Sequence, residues 1–347
     1  MPSHPDLEIP FSISHKHAPL RLLELPAELV DALKDDSSLA LRMKSAVSGD
    51  AVLCTADKTY QMRQVQTSNS LYVVSASAAK DANGSTQSGL TTLAQCNWSL
   101  EVSNAASLSA LPYLRQALPL HTGQADKSTA DISRTTTKSA VFADVPLSDS
   151  ECEKAWTELI AFERGENKLA FRPAATALIK AWSSISLLAI ERSIDLSETL
   201  RPTDIEDVTR HPEEMPMELA IAIVKRLLPK DQQRHMSSAS VRDLNPSTTF
   251  NLDRSQTVSL VGQWLLESTV ETTQAELLRQ WQNLMPERWR EDVTLSLIEG
   301  FYETVSNGKI AFISPLQQHD SSNQTATSST SASKRKWHEK FAQARKR

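Results

Sequence analysis

Glycine is scarce: eight in 347 residues, with no GxxxxGKS or GxxxxGKT run to cradle a phosphate. Cysteine is scarcer. Cys54, Cys96 and Cys152 are odd in number, widely spaced and without a CxxC pair, which argues against a disulfide framework or a zinc site. Aromatic residues make up 5% of the chain, and no apolar run approaches the ~18–20 residues that span a bilayer. The first residues carry neither the basic nor the apolar region of a secretory signal, so a soluble intracellular chain is expected. HExxH, GxSxG and a paired-carboxylate motif are missing too. His15 and His17, two apart, read as a solvated strand end, and Asp204, Glu206 and Asp207 as a solvated helix face. No catalytic residue, cofactor or metal is expected, and no enzyme.

Charge is unevenly placed. The net charge is −5, yet Ser333–Arg347 sets seven basic residues against Glu339 alone, which leaves −11 on the remainder. An acidic body with a basic tail points to a tail that seeks acidic partners.

The most informative stretch is AVLCTADKTYQMRQVQTSNSLYVV, residues 51–74. Apolar runs at Ala51–Cys54, Thr59–Val65 and Leu71–Val74 are separated by Ala56-Asp57-Lys58 and Thr67-Ser68-Asn69-Ser70, which predicts a β-meander with two tight turns. Further strands are expected at 8–13, 19–25, 39–43 and 93–102, a short helix from Pro26 to Leu33, a loop at 80–89, and a strand or short helix at 113–118. Residues 1–118 thus read as all-β, a sandwich or barrel, and 119–144 as a polar linker.

Helical texture follows. Ser148 or Asp149 caps a helix with Cys152, Trp156, Leu159 and Ile160 on its apolar face, ended by Gly165. A strand at 169–172 and helices at 174–190, 202–210 and 216–228 complete a winged-helix-like module over 145–245. A second such module, 246–316, has helices at 256–268, 274–285 and 290–300, then a hairpin turning on Asn307-Gly308. Residues 317–347 form a low-complexity segment and the basic tail. The fold class is therefore α+β and multidomain, with tandem winged-helix-like modules after the β region.

On the residues of 51–71, preceded by Leu22-Leu23-Glu24-Leu25, the chain resembles the sister chromatid cohesion subunit of the alternative replication-factor-C clamp loader. The match is most specific at Ala51–Tyr60 and Thr67–Leu71. The resemblance implies a barrel-like N-terminal domain completed by the large and small chromosome transmission fidelity subunits, through Ala51, Val52, Leu53, Cys54, Asp57, Lys58, Thr59, Tyr60, Arg63, Thr67, Ser68, Asn69 and Leu71. It also implies winged helices that dock the catalytic subunit of DNA polymerase epsilon, contact with the sliding clamp and DNA through the complex, and a nuclear location. ATP hydrolysis would belong to the partners.

The third helix of the second module carries Glu291, Asp292 and Glu299, and carboxylates in a groove lined with phosphates repel. Only Lys309 marks the wing. In the tail, Lys334, Arg335, Lys336, Lys340, Arg345, Lys346 and Arg347 fit nuclear import, non-specific DNA contact or a plain solvated end. The competing reading is a stand-alone winged-helix nucleic-acid-binding protein with a β oligomerisation domain. No membrane partner is expected.

Overall fold

The computed structural model describes residues 9–13, 18–45, 51–80, 86–105, 109–123, 136–210, 215–236, 241, 244–305 and 308–313. They fall into two compact units, one of residues 1–114 with 139–155, the other of 115–138 with 156–347.

The first unit is a six-stranded sheet. Its elements are β1 (Phe11–Ser12), β2 (Leu22–Glu24), α1 (Ala27–Asp35), β3 (Arg42–Ser45), β4 (Ala51–Cys54), β5 (Thr59–Lys80) and β6 (Thr86–Asn104). The order is β1-β6-β5-β4-β3, with β2 also on β6, and the described sheet does not close into a barrel. β3, β4, β5 and β6 pair antiparallel. β1 and β2 both lie parallel to β6, at Leu90–Thr91 and Ser99–Glu101. The β4–β5 turn forms because Thr55 folds back on it. Its hydroxyl accepts the Lys58 N–H at 3.0 Å, and its own N–H donates to the Lys58 carbonyl at 3.0 Å.

The expected second turn, at 67–70, does not exist. β5 is one strand of 22 residues, and the polar Thr-Ser-Asn-Ser run is absorbed as a register shift against β6 between Gln66 and Leu71. A bulge takes extra residues without reversing the chain, and turn-forming side chains alone do not separate the two outcomes. The expected loop at 80–89 shrinks likewise, since β6 starts at Thr86. The expected strand or helix at 113–118 is helical as far as Ala117, in α2 (Leu111–Ala117).

In the segment 139–155, α3 (Lys138–Asp144) leads to α4 (Asp149–Glu158). Ser148 and Glu151 form a capping box. The Ser148 hydroxyl donates to the Glu151 carboxylate at 2.6 Å and accepts the Glu151 N–H at 3.2 Å. α4 stops before Gly165. Ile160 takes a positive φ of 53°, and the Ala161 N–H turns back to the Trp156 carbonyl at 3.0 Å. Gly165, at φ 77°, serves instead the turn between β8 (Phe162–Arg164) and β9 (Leu169–Pro173).

The second unit adds β7 (Leu120–His121), which lies parallel to β9. Then come α5 (Ala175–Glu191), α6 (Pro202–Thr209), α7 (Met217–Leu227), α8 (Lys230–Gln233), α9 (Arg254–Ser268), β10 (Thr272–Thr273) and α10 (Gln274–Leu284). Two of these helices are capped by the side chain just before them. Asp253 accepts the Gln256 N–H at 2.9 Å, and Thr273 the Glu276 N–H at 3.3 Å. One continuous core runs from Ile160 to Ile310 around Trp182 and Trp281. Both indoles are fully buried and both donate, Trp182 to the Leu284 carbonyl at 2.9 Å and Trp281 to the Val258 carbonyl at 3.0 Å.

The expected third helix at 290–300 is replaced by two 3₁₀ helices, Glu287–Asp292 and Leu295–Ile298, split by extended Val293 and Thr294. Val293, Leu295 and Leu297 recur every second residue, a spacing that does not line one face of an α-helix. β11 (Tyr302–Thr304) and β12 (Lys309–Phe312) follow, and β12 lies between β10 and β11. Gly308 takes a φ of 70° at the hairpin. Ser306 and Asn307 lie outside the described residues.

Candidate partner-binding edge

β5 pairs with β4 only over Thr59–Gln61, opposite Val52–Cys54. From residue 62 to 80 its other edge has no strand beside it among the described residues, while β6 shields the opposite side. A long row of unpaired backbone N–H and C=O groups is a template for another strand. Apolar side chains stand exposed along the same ribbon: Leu71, Tyr72, Val74 and Leu93 are 38–46% exposed, and Phe11 packs edge-on to Tyr72 with ring centroids 6.4 Å apart. Near its base the ribbon carries a charge pair, with Arg63 donating to Glu101 of β6 at 2.8 Å.

The signature residues divide into two groups. Val52, Leu53, Cys54, Thr59 and Tyr60 are buried and hold the sheet together. Ala51, Asp57, Lys58, Arg63, Asn69 and Leu71 are exposed, with Lys58 reaching Glu28 at 3.4 Å. Thr67 and Ser68 lie in β5. About half of the described signature residues are thus internal packing, and the outward Arg63, Asn69 and Leu71 lie along β5.

One buried polar group escaped the sequence reading. Lys44, in β3, has a side chain only 7% exposed, and its ammonium donates to the Phe142 carbonyl at 2.8 Å, the Leu147 carbonyl at 2.7 Å and Asp149 at 3.3 Å. The strand pattern alone gave no sign of it. Beside this node, burial pushes the Cys54 thiol up and the Cys152 thiol up to about 11, so both are inert small hydrophobes.

Several cations of the helical unit are held by acids. Arg288 donates to Glu198 at 2.9 Å, Arg254 to Asp292 at 2.7 Å, and Lys309 to Glu271 at 3.3 Å. The acids at 204–207 are paired as well, Asp204 with Arg201 at 3.1 Å, Asp207 with Arg192 at 3.2 Å, and Glu206 with Arg210. Among the described residues no group of three His, Cys, Asp or Glu side chains is placed to hold a metal, and no helix is long and apolar enough to cross a membrane. His15, His17, Lys334, Arg335, Lys336, Lys340, Arg345, Lys346 and Arg347 lie outside the described residues.

Comparison with known proteins agrees with the signature. A probable sister chromatid cohesion protein of Dictyostelium discoideum is 39% identical over 75 residues, which cover 22% of this chain and 18% of that relative. The matched stretch is thus well under two thirds of the relative's length. A family model described as sister chromatid cohesion protein Dcc1 matches residues 20–327. That span takes in the free edge and most of the helical unit, and the chain belongs to the Dcc1 family of sister chromatid cohesion proteins.

Proposed function

We propose that this chain is a non-catalytic adaptor of the alternative clamp loader in the nucleus. Partner strands from the large and small chromosome transmission fidelity subunits complete its sheet along the outer edge of β5. The helical unit, read as winged-helix-like modules, links the loader to the catalytic subunit of DNA polymerase epsilon. The observation that carries this reading is that the outer edge of β5 beyond Gln61 has no strand beside it among the described residues, with Leu71, Tyr72 and Val74 exposed along it. A tether of this kind raises the loader's effective concentration at the leading strand, so the sliding clamp is loaded there, supporting DNA replication and sister chromatid cohesion.

The helical unit fits a protein partner better than a phosphate backbone. Arg254 and Arg288 are paired with acids, whereas Leu187 and Ile190, one turn apart on α5, are 67% and 76% exposed. A stand-alone nucleic-acid-binding protein would need those cations free.

The test is co-purification of the full chain with the two loader subunits, and separately with the polymerase subunit. Leu71→Asp with Tyr72→Asp should abolish loader assembly and leave polymerase binding intact. Leu187→Asp with Ile190→Asp should do the reverse. Loader assembly untouched by the first pair of changes sinks the edge reading, and polymerase binding untouched by the second sinks the α5 face.

A further inference from the structure

Residues 139–155 belong with the sheet, although the chain on either side of them, 115–138 and 156 onward, belongs to the helical unit. The sheet holds this segment as it would hold a bound peptide. Val141, Val145 and Leu147 are its buried anchors, none more than 3% exposed. The Ser148 N–H donates to the Thr59 hydroxyl at 2.8 Å and the Ser150 N–H to the Ala56 carbonyl at 3.0 Å. Most specific is Lys44. An ammonium has three N–H donors, and the three acceptors within reach (two carbonyls and the Asp149 carboxylate) all come from this one segment. Take the segment away and the Lys44 ammonium loses all three acceptors. The sheet's own core cluster is small: Leu29, Leu53, Tyr60, Met62 and Val102.

We infer that residues 139–155 are an intramolecular ligand of the sheet, a strap read by Lys44 and Thr59 whose seating holds β3, β4 and the start of β5 in their native form. The sheet unit is therefore discontinuous in sequence, and a fragment ending at residue 118 lacks the piece that completes it. The strap works in cis, where its tether keeps the local concentration high.

Hydrogen exchange and thiol labelling on the full chain test this. In the wild type, the amides of Ser148, Ser150 and Cys152 should exchange at the rate of those in β4 and the start of β5, not that of α5 and α9. Lys44→Met should accelerate exchange at least tenfold in both 139–155 and β3–β4 while α5 and α9 stay unchanged. Cys54 and Cys152, which sense the same Lys44, Asp149 and Glu151 charges, should label at least tenfold faster, and Cys96 should not. Strap amides that exchange with α5 and α9 overturn the inference. So does a Lys44→Met chain in which the strap loosens but β3–β4 keeps its protection. If Lys44→Met does not fold, the wild-type pattern and the milder Thr59→Val, read by the same labelling, decide the matter.

Discussion

The Thr59 hydroxyl donates to the Glu151 carboxylate across 2.5 Å, joining a strand residue to a helix residue 92 positions later. The same carboxylate accepts from the Ser148 hydroxyl at 2.6 Å, so the first turn of α4 is capped from within its own helix and clamped by the sheet. Thr59→Val keeps the shape and removes the donor. It should cost the sheet unit about 1–3 kcal/mol, since a half-buried carboxylate loses one partner and the Ser148 N–H loses one of its two acceptors. Denaturation of Thr59→Val, Glu151→Gln and the double variant checks it. The two changes should be markedly non-additive, with the double variant little worse than either single one.

Alkaline pH should weaken the sheet unit through Cys152. Burial holds its thiol at about 11 against an ordinary 9.0. Below the lower value both states keep the proton and stability is unaffected. Between the two the unfolded chain ionises first, so the native state loses ground as pH rises, by up to about 2–3 kcal/mol above the higher value. Cys54 shifts in the same direction for the same reason. Cys152→Ala should be less stable than the wild type at neutral pH because of the cavity it leaves. The gap should narrow as pH climbs through that window. A gap constant with pH would mean that the thiol titrates alike in the folded and unfolded states.

Much of this architecture was legible in the sequence because its signals are local. Ser148 caps a helix where its position predicts one, and the helices expected at 202–210 and 274–285 begin at Pro202 and Gln274. The misses are long-range. The Thr67–Ser70 run carries turn chemistry, yet β6 pairs on both sides of it and keeps β5 extended. Lys44 sits in a strand pattern that expects exposure, and only acceptors about a hundred residues away make its burial tolerable. The free edge of β5 is likewise invisible locally, because an edge is defined by which strands are not beside it.

Gly262 should tolerate no side chain. A Cβ there would lie 2.3 Å from the ring of Trp281, which is fully buried and tied to the Val258 carbonyl. The indole cannot swing away without breaking that bond and opening the core between α9 and α10. Gly262→Ala should therefore destabilise the helical unit by about 2–4 kcal/mol, despite alanine's better helix propensity. Thermal unfolding followed by tryptophan fluorescence reads the loss. Glycine at an exposed helical site would show the opposite sign.

The basic residues make the last prediction, and they divide by whether an acid already holds them. Lys309 is paired with Glu271 at 3.3 Å, so a phosphate must displace a carboxylate to reach it. Lys309→Ala should leave the DNA affinity of the full chain, and its salt dependence, unchanged. The tail holds seven cations against one acid. If the tail touches DNA, one of the readings its charge allows, deleting 334–347 should lower the slope of log affinity against log salt by about 3 or more, since each phosphate contact contributes roughly 0.9. The effect should be the same for unrelated sequences, because point charges on phosphates carry no base information. A slope unchanged by the deletion leaves nuclear import or a plain solvated end as the readings of the tail. A slope lowered instead by Lys309→Ala would bring the β11–β12 hairpin back as a DNA-contacting wing.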